Sequence, residues 1–350
     1  MPNSVMNRRG ADKGLRFVAI GGGTGLSTLL KGLKQHTVTA AEMPPADPHV
    51  SDLTAVVTVS DDGGSSGRLR RELNMLPPGD VRNCLVAVSE DENLLSKLFQ
   101  HRFSSSGELE GHSFGNLFLA ALTSMTGDFA VAVKKAAEIL ATRGHILPAT
   151  TANVQLEAIM EDGSRVIGET KITASEKRIT ELVIVPENPE PLPQTLRAIA
   201  EADVITIGPG SLFTSLVPNL LVRGIPEAIA GSHAVKVFIC NLMTEANESL
   251  HMKASDHIQA IYNHSSRKIF DYALVNSAPV SPAMRERYAE ERAEPVECDT
   301  DAIEKLGVKC IAGDFVEENH FARHATHRLC HELLALGQIH RARQATQALR

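Results

Sequence analysis

The sequence predicts an α/β fold built on a doubly wound, mainly parallel sheet. Three observations carry the prediction. Five apolar runs, LRFVAI (15–20), LTAVVTV (53–59), ADVITIG (202–208), VKVFIC (235–240) and FDYALV (270–275), are bounded by Gly, Asp, Asn or Ser, and each adjoins a stretch with helical spacing. Runs this apolar suit strands buried on both faces, hence a parallel sheet wound by helices. Glycine-rich loops follow three of the runs, where a strand hands over to a helix. The layout is Rossmann-like.

Taken in chain order, residues 1–14 are polar, lack the continuous apolar core of a signal peptide and read as a disordered tail. A single α/β domain is expected over 15–335. The first strand runs into Gly21-Gly22-Gly23-Thr24-Gly25-Leu26-Ser27, with four glycines in five residues bringing bare backbone N–H groups to a helix start. It is not a P-loop: Lys31 lies six residues past Gly25, and no Lys-Ser or Lys-Thr follows. The dinucleotide fingerprint fails as well, because Gly21-x-Gly23 meets Leu26 and Gly23-x-Gly25 meets Thr28 where Gly or Ala is needed. A phosphate cradle remains, with a packing turn as the alternative. Residues 37–53, containing MPPADP, read as a long loop.

The second strand ends in VSDDGGSSGRLRRE. Asp61 and Asp62 are placed to hold a ribose hydroxyl or Mg²⁺; Gly63, Gly64, Ser65 and Ser66 form a second nest, and Arg68 is a candidate phosphate clamp. Helix capping and a solvated arginine face are the alternative. A helical insertion follows over about 68–145, its period clearest in 78–142. Within it PPGDVRN and GHSFGN place Asp80, Arg82, Asn83, His112, Ser113 and Asn116 at helix starts, where capping competes with function. Alternating runs around Asp162-Gly163 predict a β-hairpin element over about 150–190, closed by four prolines in eight residues. The third loop, Gly208-Pro209-Gly210-Ser211, again leaves N–H donors at a strand end. Asn241 and Thr244 follow the next strand. His320, His324 and His327 have the i, i+4, i+7 spacing of one helix face, although no carboxylate or cysteine completes a metal set. Residues 336–350 read as a basic tail.

Composition bounds the function. Net charge is −7 and aromatics are 4%, which argues against nucleic-acid binding, so any anion site must be local. Five widely spaced cysteines without a CxxC pair indicate neither disulfide scaffold nor zinc ribbon and suit a reducing cytoplasm. No run of about 18 apolar residues occurs, so no membrane span is expected.

Together GGGTGLS, VSDDGGSSGRLRRE, PPGDVRN, GHSFGN, IGPGSLFTS, CNLMTE, ASDHI and the late RHATH resemble, in order from about 15 to about 335, the gluconeogenesis-factor family of bacteria, the YvcK-like branch of the YvcK/CofD-like superfamily. The resemblance implies a cytoplasmic protein acting in gluconeogenic growth, cell shape and cell-wall precursor supply, with UDP-N-acetylglucosamine or a related UDP-sugar as ligand. It carries Tyr288, in MRERYAEERAEPV, and Arg323, in ARHATH, into the sugar-nucleotide site, with the glycine loops at 21–25, 63–67 and 208–211 together expected to cradle the diphosphate. In the sister branch, 2-phospho-lactate transferases, an acidic residue after the second strand helps hold Mg²⁺, and Asp61-Asp62 match that pair. Ser60 stands where that branch has glycine, which sets the deazaflavin-related transfer apart from this chain. Three function classes follow: a UDP-sugar sensor with a protein partner in wall-precursor synthesis, a Mg-dependent phosphoryl or phospholactate-type transferase, and, ranked last, a nicotinamide oxidoreductase. No committed catalytic residue is identified, His112 being the best imidazole. A homodimer is expected on base rate.

Overall fold

The computed structural model describes residues 14–38, 48–90, 94–104 and 107–348. The chain opens with β1 (Leu15–Gly21), α1 (Gly23–Lys34) and β2 (Val50–Val57). Every residue of β1 but Arg16 is buried, because parallel neighbours flank it on both sides: Phe17 pairs with Leu53 and with Val204. In α1, Leu26, Leu29, Leu30 and Leu33 are buried at helical spacing and pin the helix to the sheet. The stem of the loop before β2 is tied down, since Val38 N donates to Val50 O at 3.0 Å and Val50 N to His36 O at 2.8 Å. The expected tail over 1–13 and the loop centre over 39–47 lie outside the described residues.

The helical insertion comprises α2 (Gly64–Leu73), α3 (Gly79–Val88), α4 (Leu94–Gln100), α5 (Phe114–Thr126) and α6 (Phe129–Ile139), before β3 (His145–Pro148) returns to pair with β2. Ser113 caps α5 by accepting from Asn116 N at 3.3 Å, and Asp128 caps α6 by accepting from Val131 N at 2.9 Å. Between them Gly127, at φ +71°, takes the left-handed turn that ends α5.

The next section holds β4 (Gln155–Met160), β5 (Arg165–Ile167), α7 (Glu169–Thr173) and β6 (Ile179–Val185). The hairpin turns at Gly163, φ +79°, as its Asp-Gly signal predicts. The element is larger than a hairpin, however: β6 pairs antiparallel on the other side of β4, giving a three-stranded sheet. After the proline-rich connector come α8 (Pro193–Glu201), β7 (Val204–Ile207), a π-turn over 212–216, α9 (Val217–Leu220), α10 (Ile225–Gly231) and β8 (Val235–Ile239). The chain closes with α11 (Ala254–Ser265), β9 (Tyr272–Asn276), α12 (Pro282–Glu290), α13 (Thr300–Lys305), β10 (Lys309–Gly313), the β11 (Val316–Glu318) and β12 (Ala322–His324) hairpin, and α14 (Thr326–Ala348).

The main sheet has seven strands in the order β10-β9-β8-β7-β1-β2-β3, and every neighbouring pair is parallel. Its strand order reverses between β1 and β7, which makes the carboxyl ends of those two strands the place where an open α/β sheet leaves a crevice. The expected basic tail from 336 is instead the end of the 23-residue α14. Leu329, Leu333, Leu334 and Leu336 are buried, and Arg341 donates to Asp203 Oδ2 at 2.9 Å, so long-range contacts hold its polar last turns. Among the described residues no helix is long and apolar enough to cross a membrane.

Candidate functional site

At the reversal point two glycine turns touch. β1 passes through Gly21 and Gly22 into α1, whose first residue, Gly23, sits at φ +63°. A Cβ on Gly25 would stand 2.7 Å from the Pro209 carbonyl carbon and 3.0 Å from Gly210 N, and closer still to the Pro209 oxygen. Only glycine permits that approach of backbone to backbone. The turn after β7 is held in its own left-handed conformation at Gly208, φ +91°. Asn241, just beyond β8, accepts from Gly210 N at 3.1 Å and so fixes the third loop. The π-turn behind it is capped from within: Phe213 N at 2.9 Å and Thr214 N at 3.3 Å donate to Glu248 Oε2, and Thr214 Oγ1 to Oε1 at 2.6 Å. Burial pushes the Glu248 carboxyl up from the usual carboxylate range, against those three hydrogen bonds. Asn219 adds a tie from α9, donating to Gly21 O at 3.2 Å and Ser215 O at 2.8 Å.

Around these turns lies a cleft of about 270 Å³ lined by Gly22–Gly25, Pro209–Ser211, Ser215, Asn241–Glu245, Tyr288, Ala322 and His324. A hollow of about 240 Å³ adjoins it, sharing Thr24, Gly25, Pro209, Tyr288, Ala322 and His324 and adding Thr28, Phe321 and Arg323. Thus Tyr288 on α12 and Arg323 on β12, far from the glycine loops in sequence, stand over the N-terminus of α1. Arg287 covers the Phe321 ring at 4.8 Å, which leaves Arg323 facing the hollow without that stacking partner. Thr244 lines the cleft, but its hydroxyl accepts from Glu294 N at 3.0 Å. Leu26 is buried in the core, and Ser27 Oγ donates to Thr24 O at 3.1 Å, so neither is among the lining groups.

The expected histidine face does not form. His320 lies in a turn, His324 on β12 and His327 in α14, because the strand and turn break the helical register that the spacing presumed. His324 alone reaches the cleft, with Nε2 3.0 Å from Cys240 O. Burial pushes its imidazole down to about 4, against the raising effect of that backbone hydrogen bond.

The expectation that all three loops share one crevice is not met: the second loop follows β2, one strand away from the reversal point, and does not line the cleft. Asp62 turns to the small sheet, where Oδ1 caps α7 by accepting from Thr170 N at 2.9 Å and Thr170 Oγ1 at 2.6 Å. Asp61 Oδ1 accepts from Gly63 N at 2.8 Å in a local turn, and Gly64, at φ +45°, opens α2. Arg68 donates to the Glu110 carbonyl. Ser65 Oγ lies 2.9 Å from His112 Nδ1 and accepts from Asn116 Nδ2 at 3.1 Å, while Arg82 Nη1 donates to Asn116 Oδ1 at 3.1 Å. Ser65, His112 and Asn116 are buried in this network, and Ser66 is buried as well.

Asp80 links the two regions. Its carboxylate accepts from the Gly23 N–H, and burial above all, with Asp61 helping, raises it to about 6. Glu169, at the start of α7, was not legible as a site residue; it faces Asp61 and Asp80, and burial together with those carboxylates raises it far above the usual range. Its Oε2 is buried without a hydrogen-bond partner. That donor chemistry fits a hard divalent cation at Asp61 and Glu169. Yet among the described residues no three His, Cys, Asp or Glu side chains converge on a metal position. Phosphate oxygens and water would have to complete the shell.

Residues 17–316 match the family model described as 2-phospho-L-lactate transferase CofD. The chain is 49% identical over 318 residues to a gluconeogenesis factor of Halalkalibacterium halodurans, covering 91% of this chain and 95% of that protein. It is 46% identical over 322 residues to the gluconeogenesis factor of Bacillus subtilis, covering 92% and 98%. A crystal structure of a Bacillus halodurans protein described as a member of the UPF0052 family superposes with a TM-score of 0.86 at 49% identity, covering 92% of this chain and 99% of that one. The motifs that build the two touching turns and the acidic loop thus lie inside the matched span, and the chain belongs to the CofD family and, within it, to the gluconeogenesis factors.

Proposed function

We propose that this protein is a regulatory binding protein for UDP-N-acetylglucosamine or a related UDP-sugar, acting in the cytoplasm in gluconeogenic growth, cell shape and cell-wall precursor supply. The observation that supports it most is the contact of the Gly25 and Pro209 turns at the reversal point, beneath Tyr288 and Arg323. Backbone N–H groups at the start of α1 supply the field for a diphosphate, and Arg323 supplies a charge-assisted contact. Tyr288 offers an aromatic face to the base or sugar. The names of the relatives support the link to gluconeogenesis, and binding with differential affinity for two states of the protein suffices for regulation of a protein partner or of a homodimer. The reading predicts binding without turnover.

One observation favours a second reading, a Mg-dependent transferase of phosphorus-containing groups: the acids Asp61, Asp80 and Glu169 sit directly behind the turn that lines the cleft. Mg²⁺ held by Asp61 and Glu169 would supply neutralisation of a phosphoryl oxygen. Calorimetry against UDP-N-acetylglucosamine, UDP-glucose, NAD and GDP, with and without Mg²⁺ and with product analysis after long incubation, separates the readings. Selective UDP-sugar binding with the donor intact supports the sensor. Donor consumption establishes the transferase, and failure of every nucleotide to bind removes both.

A further inference from the structure

His324 lines the cleft, and the fold fixes the hydrogen-bonding polarity of its ring. Its Nε2 lies 3.0 Å from the Cys240 carbonyl, at the end of β8. A carbonyl oxygen only accepts, so Nε2 carries the ring proton and Nδ1 keeps its lone pair. Burial holds the ring neutral far below physiological pH, and among the described residues no carboxylate pairs with it to restore the charge. Among the described residues no group donates to Nδ1, and that atom is not among the buried polar atoms lacking partners, so it opens onto the cleft and hollow that the ring lines.

Building on the UDP-sugar reading, we infer that His324 is a specificity-determining residue: Nδ1 accepts a hydrogen bond from an uncharged N–H or O–H of the bound nucleotide sugar. Phosphate oxygens at neutral pH offer only lone pairs, so this part of the cleft rejects the diphosphate. The anion is left to the Thr24–Gly25 end, where the first-turn N–H groups of α1 point outward. The orientation of the ligand follows from that pairing. A uracil ring has one such donor, its imide N–H, and the ribose and the sugar have hydroxyls; a cytosine ring presents an acceptor at the same ring nitrogen.

The test is calorimetry of the full chain with UDP-N-acetylglucosamine, its N3-methyluracil analogue, its 2′,3′-dideoxyribose analogue and UDP alone. The base, ribose and sugar donors are thereby removed in turn. Each ligand is measured on the wild type, His324→Asn and His324→Leu. Asn offers an amide oxygen in place of Nδ1, whereas Leu removes the acceptor. One donor deletion is expected to weaken wild-type binding by roughly tenfold, the scale of one hydrogen bond together with the unpaired group left behind. His324→Leu should weaken the parent ligand by a similar factor and lose discrimination against that same analogue, while His324→Asn retains it. This coupling between variant and ligand change isolates the contact. The inference is overturned if UDP-N-acetylglucosamine binds and no donor deletion is coupled to residue 324. If the wild type binds none of the four ligands, the UDP-sugar reading itself has failed and the inference falls with it.

Discussion

Replacing Gly25 by Ala probes the contact on which the cleft depends. The backbone at Gly25 is ordinary helix, so alanine meets no conformational penalty there and its effect is purely steric. The new Cβ would lie 2.7 Å from the Pro209 carbonyl carbon and closer still to its oxygen, and ordinary contact begins near 3.4 Å, so the two turns must part by more than about 0.7 Å. Both sides of the clash are backbone, and neither can swing away as a flexible side chain would. Overpacking of this kind costs about 1–3 kcal/mol. With an unfolding entropy of about 2 cal/mol/K per residue, a chain of this size should lose about 1.5–4 °C in Tm. Binding should suffer more, because displaced N–H donors cannot reach a diphosphate held by the other turn. A loss of about 10- to 100-fold in affinity corresponds to one charge-assisted hydrogen bond. Gly231→Ala is the control, since a Cβ there has open space around it. Differential scanning calorimetry and titration with UDP-N-acetylglucosamine read both effects. If Gly25→Ala matches Gly231→Ala in Tm and affinity, the touching turns are not what forms the site.

Four further outcomes are expected. Arg323→Ala should weaken UDP-sugar binding by about 1.5–3 kcal/mol, whereas Arg68→Ala, whose guanidinium is spent on the Glu110 carbonyl, should stay within about twofold; equal losses in the titration would refute this assignment. Asp62→Ala should cost about 1 kcal/mol by uncapping α7, read as faster hydrogen exchange over 169–173, and unchanged protection would count against the cap. Glu248→Ala leaves the Phe213 and Thr214 N–H groups buried without an acceptor and should lower stability by about 2–4 kcal/mol in urea unfolding, with Glu248→Gln recovering part; a neutral alanine variant would contradict the buried cap. His324 has its folded pKa lowered from 6.5 to about 4, so the folded state binds fewer protons than the unfolded one in between: its contribution is complete above about pH 6.5 and disappears as pH falls through 4. Wild type should therefore lose stability relative to His324→Asn across that window, and parallel pH curves for the two would show that the ring is not buried neutral.

The strands β1, β2, β7, β8 and β9 were legible because each is an interior strand of a parallel sheet and shows a continuous apolar run. β3 and β10 were not, for a physical reason: they are the two edges of the sheet, and HILP and KCIAG are short and half-exposed, without the continuous apolar run of an interior strand. The three glycine loops were readable as candidate backbone nests, yet their division between the cleft and the acidic region depends on strand order. The partner of Asp62 is Thr170, 108 residues away, and nothing in VSDDGG reveals it. The same holds at the C-terminus, where HRARQATQALR looks like a basic tail until Asp203 takes up Arg341. Spacing misled at His320, His324 and His327 because an i, i+4, i+7 pattern has meaning only inside a continuous helix, and Ala322–His324 is a strand.

The electrostatics of the site explain why glycine, and not lysine, dominates its motifs. A chain of net charge −7 has no general attraction for a diphosphate, and behind the first turn stand Asp61, Asp80 and Glu169. Any anion in the cleft shares the positive end of α1 with Asp80, which already accepts the Gly23 N–H. The Gly23 N–H is thus turned toward the acids, although Gly23 lines the cleft together with Thr24 and Gly25. A flexible lysine at this position would fold back onto the carboxylates and be neutralised there. Fixed N–H dipoles cannot reorient in that way. Backbone donors keep their direction in the presence of the acids, which lets one helix end serve an anion on one face and carboxylates on the other.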